Sequence, residues 1–400
     1  MTPPSRLISR DFLLACASSF LFYGSFYFLL STLPLYVKGI GGSKSDIGLV
    51  MGAFTVTAML LRPLIGRLSD LRGRRPLMLL GALIFIASSA TYNAVHSVPA
   101  LIGLRLLHGV GMASYNTAAV ALVADIAPER RRGEAMGFFG TFANVAMASL
   151  PAVGIVIKDM SSFHVLFWVS AATGVSALLM TLPIAEPARQ MPVAEKTPDS
   201  HGPLLELSVA GPAAAVFCAC LAYGTVLTFV VPHAEERGLG NPGLFFTTMA
   251  VALVAVRWGS GRLSDTLGRW AVILPGMLAT GAALVLLAQS YSQPSFLAAG
   301  VVYGLGFGAA QPALLALAVD LSPPERRGAA MGTFFMAFEL GIGLGAVLMG
   351  FIAQATSYQD MYLIAAAAPA AAAAALYLNG RAKAVREAAG AGAQRPAGGR

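Results

Sequence analysis

The chain alternates between long apolar runs and short polar breaks rich in charge, Pro and Gly. A helix needs roughly 20 mostly apolar residues to cross the hydrocarbon core of a bilayer. Twelve such runs occur, near residues 11–37, 46–68, 76–95, 99–125, 133–157, 163–184, 207–232, 242–264, 270–290, 294–320, 328–354 and 358–379. The first is too long for the core of a signal peptide, and spans continue behind it, so it reads as a retained helix. The pattern therefore predicts an all-α membrane protein with twelve transmembrane helices.

Composition agrees. Apolar residues make up 56% and charged residues only 12%, about half the charged share of a soluble domain. Too little charge is present to cover a water-soluble globule, which argues against a soluble enzyme, a DNA-binding domain or a disordered scaffold. The net charge of +8 and pI near 9.6 take their meaning from position. With the N-terminus inside, 20 Lys and Arg fall on the cytoplasmic side. Four fall opposite (Lys38, Lys44, Lys158 and Arg237), and three lie within helices (Arg62, Arg105 and Arg257). That split follows the positive-inside rule, places both termini in the cytoplasm and explains the basic pI without nucleic acid. Cys16, Cys218 and Cys220 sit in apolar runs with neither ligand spacing nor numbers for a disulfide framework.

The chain repeats itself at an offset of 195 residues. Gly-Arg-Leu-Ser-Asp occurs at 66–70 and again at 261–265; DIAPERRRGEAMG at 125–137 matches DLSPPERRGAAMG at 320–332. Arg62 falls on Arg257, Gly109 on Gly304 and Gly111 on Gly306. Matched polar loops require an internal duplication, which similarity among apolar helices does not explain. The expected organisation is a six-helix bundle at 1–184, a Pro-rich polar linker at 185–206, a second bundle at 207–380 and a disordered Ala/Gly/Arg-rich tail at 381–400. Parallel halves of this kind occur in secondary transporters, whose substrate site lies near the midplane between them.

The loop Gly66-x-Leu68-Ser69-Asp70-x-x-Gly73-Arg74-Arg75 resembles the signature loop of the major facilitator superfamily, and the resemblance covers essentially the whole chain. It implies two pseudo-symmetric six-helix bundles. Gly66 and Gly73 would allow close helix approach and a tight turn. By similarity, Asp70 would face the N-terminus of the eleventh helix near Gly328 to Met331, and Arg74 would pair with Asp125. The repeat gives the mirror set, with Asp265 toward the fifth helix near Gly133 and Arg269 toward Asp320. Together these residues would latch the cytoplasmic side closed. Trp270 replaces the match to Arg75, making the second latch the weaker one.

Ionisable groups at membrane depth are costly and mark functional hypotheses. Arg105 and His108 share one face of the fourth helix, which Met112 and Tyr115 extend, with Asn116 beside it. Arg105 with Gly109 and Gly111 resembles the fourth-helix motif of proton-coupled members of the superfamily. Glu339 lies near the middle of the eleventh helix, at the position matching Asn144, and is assigned a proton or a cationic substrate group. Tyr23 and Tyr27, Tyr303, Phe307 and Gln311, and Tyr223 with Asn144 complete the expected pocket wall, suited to an amphipathic or zwitterionic compound. Arg62 and Arg257 are expected to snorkel to the cytoplasmic boundary.

Leu150-Pro151-Ala152-Val153-Gly154 partly resembles the fifth-helix motif of the drug/proton antiporters, with Leu150 where that motif has Gly. The resulting expectation is a monomeric exporter of a drug or metabolite in a bacterial inner membrane. It would need no cofactor and would use the proton gradient as its energy source. Alternatives are a proton-coupled importer with Arg105 as an anion clamp, or a lipid translocator. A membrane enzyme or receptor has little support, since no nucleophile, metal or phosphate-loop motif occurs.

Overall fold

The computed structural model describes residues 9–128, 131–186, 206–323 and 326–393. Most of the expected linker and the end of the expected tail lie outside these residues. Twelve long helices follow in order: α1 (Arg10–Gly39), α2 (Lys44–Arg72), α3 (Arg74–Thr91), α4 (Val98–Ile126), α5 (Arg132–Met160), α6 (Phe163–Thr181), α7 (Ala210–Glu236), α8 (Leu244–Thr266), α9 (Trp270–Ala288), α10 (Gln293–Leu321), α11 (Arg327–Ala355) and α12 (Tyr358–Ala393). Among the described residues, eleven helices are long and apolar enough to span a bilayer on their own. The remaining span is α8, whose segments Leu244–Arg257 and Gly259–Thr266 are inclined at 42°.

Local chemistry sets several helix ends. Ser43 and Asp46 form a reciprocal capping box that starts α2, and Ser292 with Ser295 does the same for α10. A single residue, Gly73, joins α2 to α3 at φ 105°; its repeat mate Gly268, at φ 89°, lies in the three-residue connection between α8 and α9. Side chains with a Cβ resist that backbone region, so both copies of the loop depend on glycine there. One expectation needs correction. Helix α12 continues to Ala393, well past the start of the predicted disordered tail, because its Ala-rich sequence has the strongest intrinsic helix preference.

The two halves repeat the same arrangement. In the first, α1 packs on α5 and α6, α4 on α2 and α3, and α3 on α6. In the second, α7 packs on α11 and α12, α10 on α8 and α9, and α9 on α12. The matched glycines explain part of this fidelity. A Cβ on Gly109 would lie 2.5 Å from Phe54 O of α2, and one on Gly304 would lie 2.2 Å from Met249 O of α8. These are equivalent carbonyls under the 195-residue offset. Helices α3, α6, α9 and α12 turn large apolar side chains outward, including Leu83, Trp168, Leu278 and Leu378. Such an apolar exterior suits lipid.

Between halves, α2 meets α11, α8 meets α5, and α1 meets α7. These contacts concentrate at one end of the bundle. The end bearing the α2–α3, α4–α5, α8–α9 and α10–α11 connections is termed the basic face, and the opposite end the far face. At the far face a Cβ on Gly48 would lie 2.5 Å from Ala346 O, and one on Gly243 would lie 2.3 Å from Ala152 Cα. Toward the basic face, Gly66, Gly133, Gly259 and Gly332 have nothing within 4 Å of a Cβ position. The halves are thus closed at the far face and parted at the basic face.

Candidate functional site

The floor of the gap is set by one ion pair that crosses it. Arg62 of α2 meets Glu339 of α11 through Nη1 and Oε1, with the Glu339 side chain 12% exposed and that of Arg62 38% exposed. Arg62 lies ten residues before the end of α2, about 15 Å into the helix at 1.5 Å per residue. This corrects the expectation that Arg62 snorkels to the boundary. A carboxylate on the facing half offers a desolvated guanidinium a partner that the boundary does not. Depth along α2 was the signal in the sequence that could have identified it.

Each half also carries an aromatic cluster. Tyr23 donates to Asn116 Oδ1 at 2.7 Å, and its ring lies 6.3 Å from that of Tyr27. In the second half, Tyr223 stacks on Phe307 at 4.8 Å, and Tyr303 lies 6.0 Å from Phe307. Tyr223 also reaches across the gap, donating toward Met147 Sδ of α5 at 3.6 Å. The Tyr303 hydroxyl is buried without a hydrogen-bond partner among the described residues. Asn144 and Gln311 are half-buried. The structure therefore groups Tyr23, Tyr27 and Asn116 in the first half and Tyr223 with Tyr303 in the second, with Tyr303 itself 1% exposed.

Arg105, His108 and Tyr115 lie elsewhere, inside the first half. Arg105 is 1% exposed; its Nε donates to Val50 O at 3.3 Å, and its guanidinium lies 4.2 Å from the centre of the Phe54 ring. It has no carboxylate partner among the described residues. His108 is fully buried, with Nδ1 3.1 Å from the Tyr92 hydroxyl and its ring 3.8 Å from that of Phe85. Tyr115 stacks on Phe22 at 3.8 Å and shares a hydrogen bond with Ser18 at 2.5 Å. In this conformation none of the three reaches the gap, so the predicted pocket face of α4 is corrected to a packed interface with α1, α2 and α3. Phe, Tyr and small polar neighbours give these groups internal partners that helical spacing alone did not reveal.

The loop charges form matching triads. Arg74 pairs with Asp70, and its Nε lies 3.0 Å from Asp125 Oδ2. Arg269 lies 2.5 Å from Asp265 and 2.8 Å from Asp320. Both triads stay within their own half, so Asp70 does not meet the N-terminus of α11 here, nor Asp265 that of α5. The reason is geometric, since the halves are parted on this side. Glu186 strengthens the first copy by accepting from the backbone N–H groups of Arg74 and Arg75 at 2.7 and 2.9 Å. This carboxylate sits at the N-terminus of α3, where the helix dipole favours it.

At the closed far face, Pro151 interrupts the α5 ladder, and side chains from α1, α8 and the α7–α8 connection use nearby carbonyls. Ser31 donates to Pro151 O at 3.2 Å and Asn241 to Ala152 O at 3.2 Å, while Thr247 donates to Ala148 O. Lys38 and Lys158 approach Glu235 at 3.6 and 3.8 Å, and the Lys44 backbone N–H donates to Gln354 Oε1 at 2.9 Å. An apolar cleft of about 590 Å³ between α8, α9 and α10, lined by Val256, Leu263, Pro275 and Leu305 among others, carries no charged lining residue.

Two duplicated halves around a central gap match a family model described as Major Facilitator Superfamily, over residues 15–288 and 243–399. The chain belongs to the major facilitator superfamily. It is a membrane transporter and not an enzyme. It is 25% identical over 351 residues to the staphylopine export protein of Staphylococcus aureus, covering 83% of this chain and 86% of that one. It is also 25% identical over 163 residues to the quinolone resistance protein NorA of the same species, covering 41% and 42% of the two chains. An uncharacterized MFS-type transporter of Methanocaldococcus jannaschii is 24% identical over 348 residues, covering 85% of this chain and 90% of that one. The solved structure of the nucleoside transporter NupG superposes with a TM-score of 0.73 at 16% identity, covering 92% of this chain and 98% of that one. At that identity the likeness concerns the fold.

Proposed function

We propose that the protein exports small organic molecules, drug or metabolite, in exchange for protons. It acts as a monomer in a bacterial inner membrane, with the basic face and both termini in the cytoplasm. The observation that carries this reading is the Arg62–Glu339 pair. A carboxylate and a guanidinium held across the two halves at membrane depth form an element whose charge a single proton changes. The similarity to the staphylopine export protein over most of both chains supports the outward direction.

In the proposed cycle, the empty carrier with ionised Glu339 is held open to the cytoplasm by its bond to Arg62. Substrate binding among Tyr23, Tyr27, Tyr223 and Tyr303 offsets the pair and lets the halves rock. Protonation of Glu339 from the far side weakens substrate binding there, and deprotonation on return restores it. The Asp70–Arg74–Asp125 and Asp265–Arg269–Asp320 triads act as the two latches that engage when the basic face closes. Arg105 and His108 act behind the interface by fixing α4 against α2.

The test uses an efflux-deficient bacterial host carrying the intact protein or its Glu339→Gln variant, with survival and extracellular metabolites compared across a panel of toxic compounds. Higher tolerance or outward enrichment with the intact protein alone supports export. Depletion of compounds from the medium, or raised toxicity, overturns export and makes the protein an importer.

A further inference from the structure

The repeat that relates the halves also relates the two interfaces between them, and this exposes a missing charge. Gly48 packs on Ala346 at one interface, and Gly243 packs on Pro151 and Ala152 at the other. Subtracting 195 from 346 gives 151, so these contacts are equivalents. The same operation carries Arg62 to Arg257 and Glu339 to Asn144. The α2–α11 interface therefore holds a cation and its carboxylate, whereas the α8–α5 interface holds a cation facing a neutral amide. Arg257 is exposed and forms no ion pair or hydrogen bond among the described residues. Tyr223 reaches Met147 Sδ of α5 at 3.6 Å, three residues along that helix from Asn144, so the aromatic pair of Tyr223 and Phe307 borders this same interface. Asn144 is half-buried, and its amide likewise forms no hydrogen bond among the described residues. Gln311, also half-buried, lies one turn beyond Gly308, where α10 packs on Leu253 and Val256 of α8.

We infer that Arg257 and Asn144 form an anion subsite for a carboxylate group on an aromatic or amphipathic substrate, whose apolar part lies against Tyr223 and Phe307. Arg257 is exposed with no carboxylate bonded to it among the described residues, and Glu339 of the same half is already paired with Arg62, so an incoming carboxylate meets a free guanidinium there. The planar guanidinium donates to both carboxylate oxygens, and the Asn144 amide adds a third donor. The unpaired second-half arginine thus selects carboxylates, while the paired first-half arginine responds to protons. This inference rests on the transporter reading above but not on the direction of transport.

The test measures binding of 2-naphthoate and its neutral isostere 2-naphthamide to the purified full-length protein by calorimetry. The intact protein is expected to bind naphthoate at least tenfold tighter than naphthamide, the scale of a charge-assisted hydrogen bond. Arg257→Gln is expected to abolish that preference, so that the two probes bind alike. Asn144→Asp supplies the carboxylate that the repeat lacks, and is expected to remove the naphthoate preference by pairing Arg257 internally. An unchanged thermal midpoint shows that the variants fold. Equal binding of the two probes by the intact protein, or an unchanged preference in both variants, overturns the subsite. Failure of outward flux in cells with the naphthoate preference intact overturns export alone.

Discussion

The interface between α2 and α11 and the interface between α8 and α5 are copies of each other, and they differ where it matters for transport. Both bring a glycine of one half against the backbone or small side chains of the other at the far face. Only the first carries a completed ion pair at depth. Duplication has preserved what close contact requires, since a glycine at Gly48 or Gly243 has no substitute that fits. The charges that do not set backbone distance have diverged. Symmetric rocking and asymmetric chemistry are thus separable properties of one repeated sequence.

The sharpest way to break this comparison is to alter the shared backbone contact. Gly243→Val places side-chain atoms where Ala152 and Pro151 already lie. Overpacking of this kind costs about 1–3 kcal/mol, enough to shift the balance of conformations by roughly 5- to 150-fold. Spin labels at Ser45 and Thr356 should report a wider far face in this variant and in Gly48→Val, whereas Gly66→Ala, in open space, should leave it unchanged. Equal responses from all three would mean that the far-face contacts do not set the conformation.

The next effect concerns charge. Arg62→Gln and Glu339→Gln should each reduce transport at least tenfold, and the double variant should lose little beyond either single one, because the two residues act as a unit. Additive losses would show that they work independently. A smaller difference separates the loop copies. Glu186→Gln removes the negative charge and one of the two oxygens that accept from backbone N–H groups at the start of α3, and residue 381, its repeat position, is Arg. A loss of about 1 kcal/mol is expected from such a cap, read as a fall of a few degrees in the thermal midpoint. The smallest effect belongs to Lys38→Gln. Its pair with Glu235 is exposed on both sides, so a change under about 1 kcal/mol, fading with added salt, is expected in the far-face distance distribution.

Most of the fold was legible in the sequence because bilayer thickness dictates helix length and because matched loops reveal the duplication. Partners across space were less so. The depth of Arg62 along α2 was legible, but its partner Glu339 was not, since nothing in one helix reports what the other half presents. Arg105 and His108 read as cavity groups because ionisable residues at depth usually face polar surroundings, yet Phe54, Phe85 and Tyr92 enclose them. The Arg74 and Arg269 triads could be placed because their spacing repeats, whereas the engagement of those triads between halves depends on conformation and leaves no trace in spacing.

The central claim is that ionised Glu339, through Arg62, holds the empty carrier open at the basic face. It is tested most directly by spin labels at Leu71 and Leu267, exposed positions on the two halves, with distances recorded as pH is lowered. Protonation removes the charge that binds Arg62, so the open population should be largest at high pH and fall as pH drops through the titration of Glu339. Glu339→Gln should show the low-pH distribution at every pH. An intact protein whose distances ignore pH, or a Glu339→Gln variant that follows pH as the intact protein does, would contradict the account.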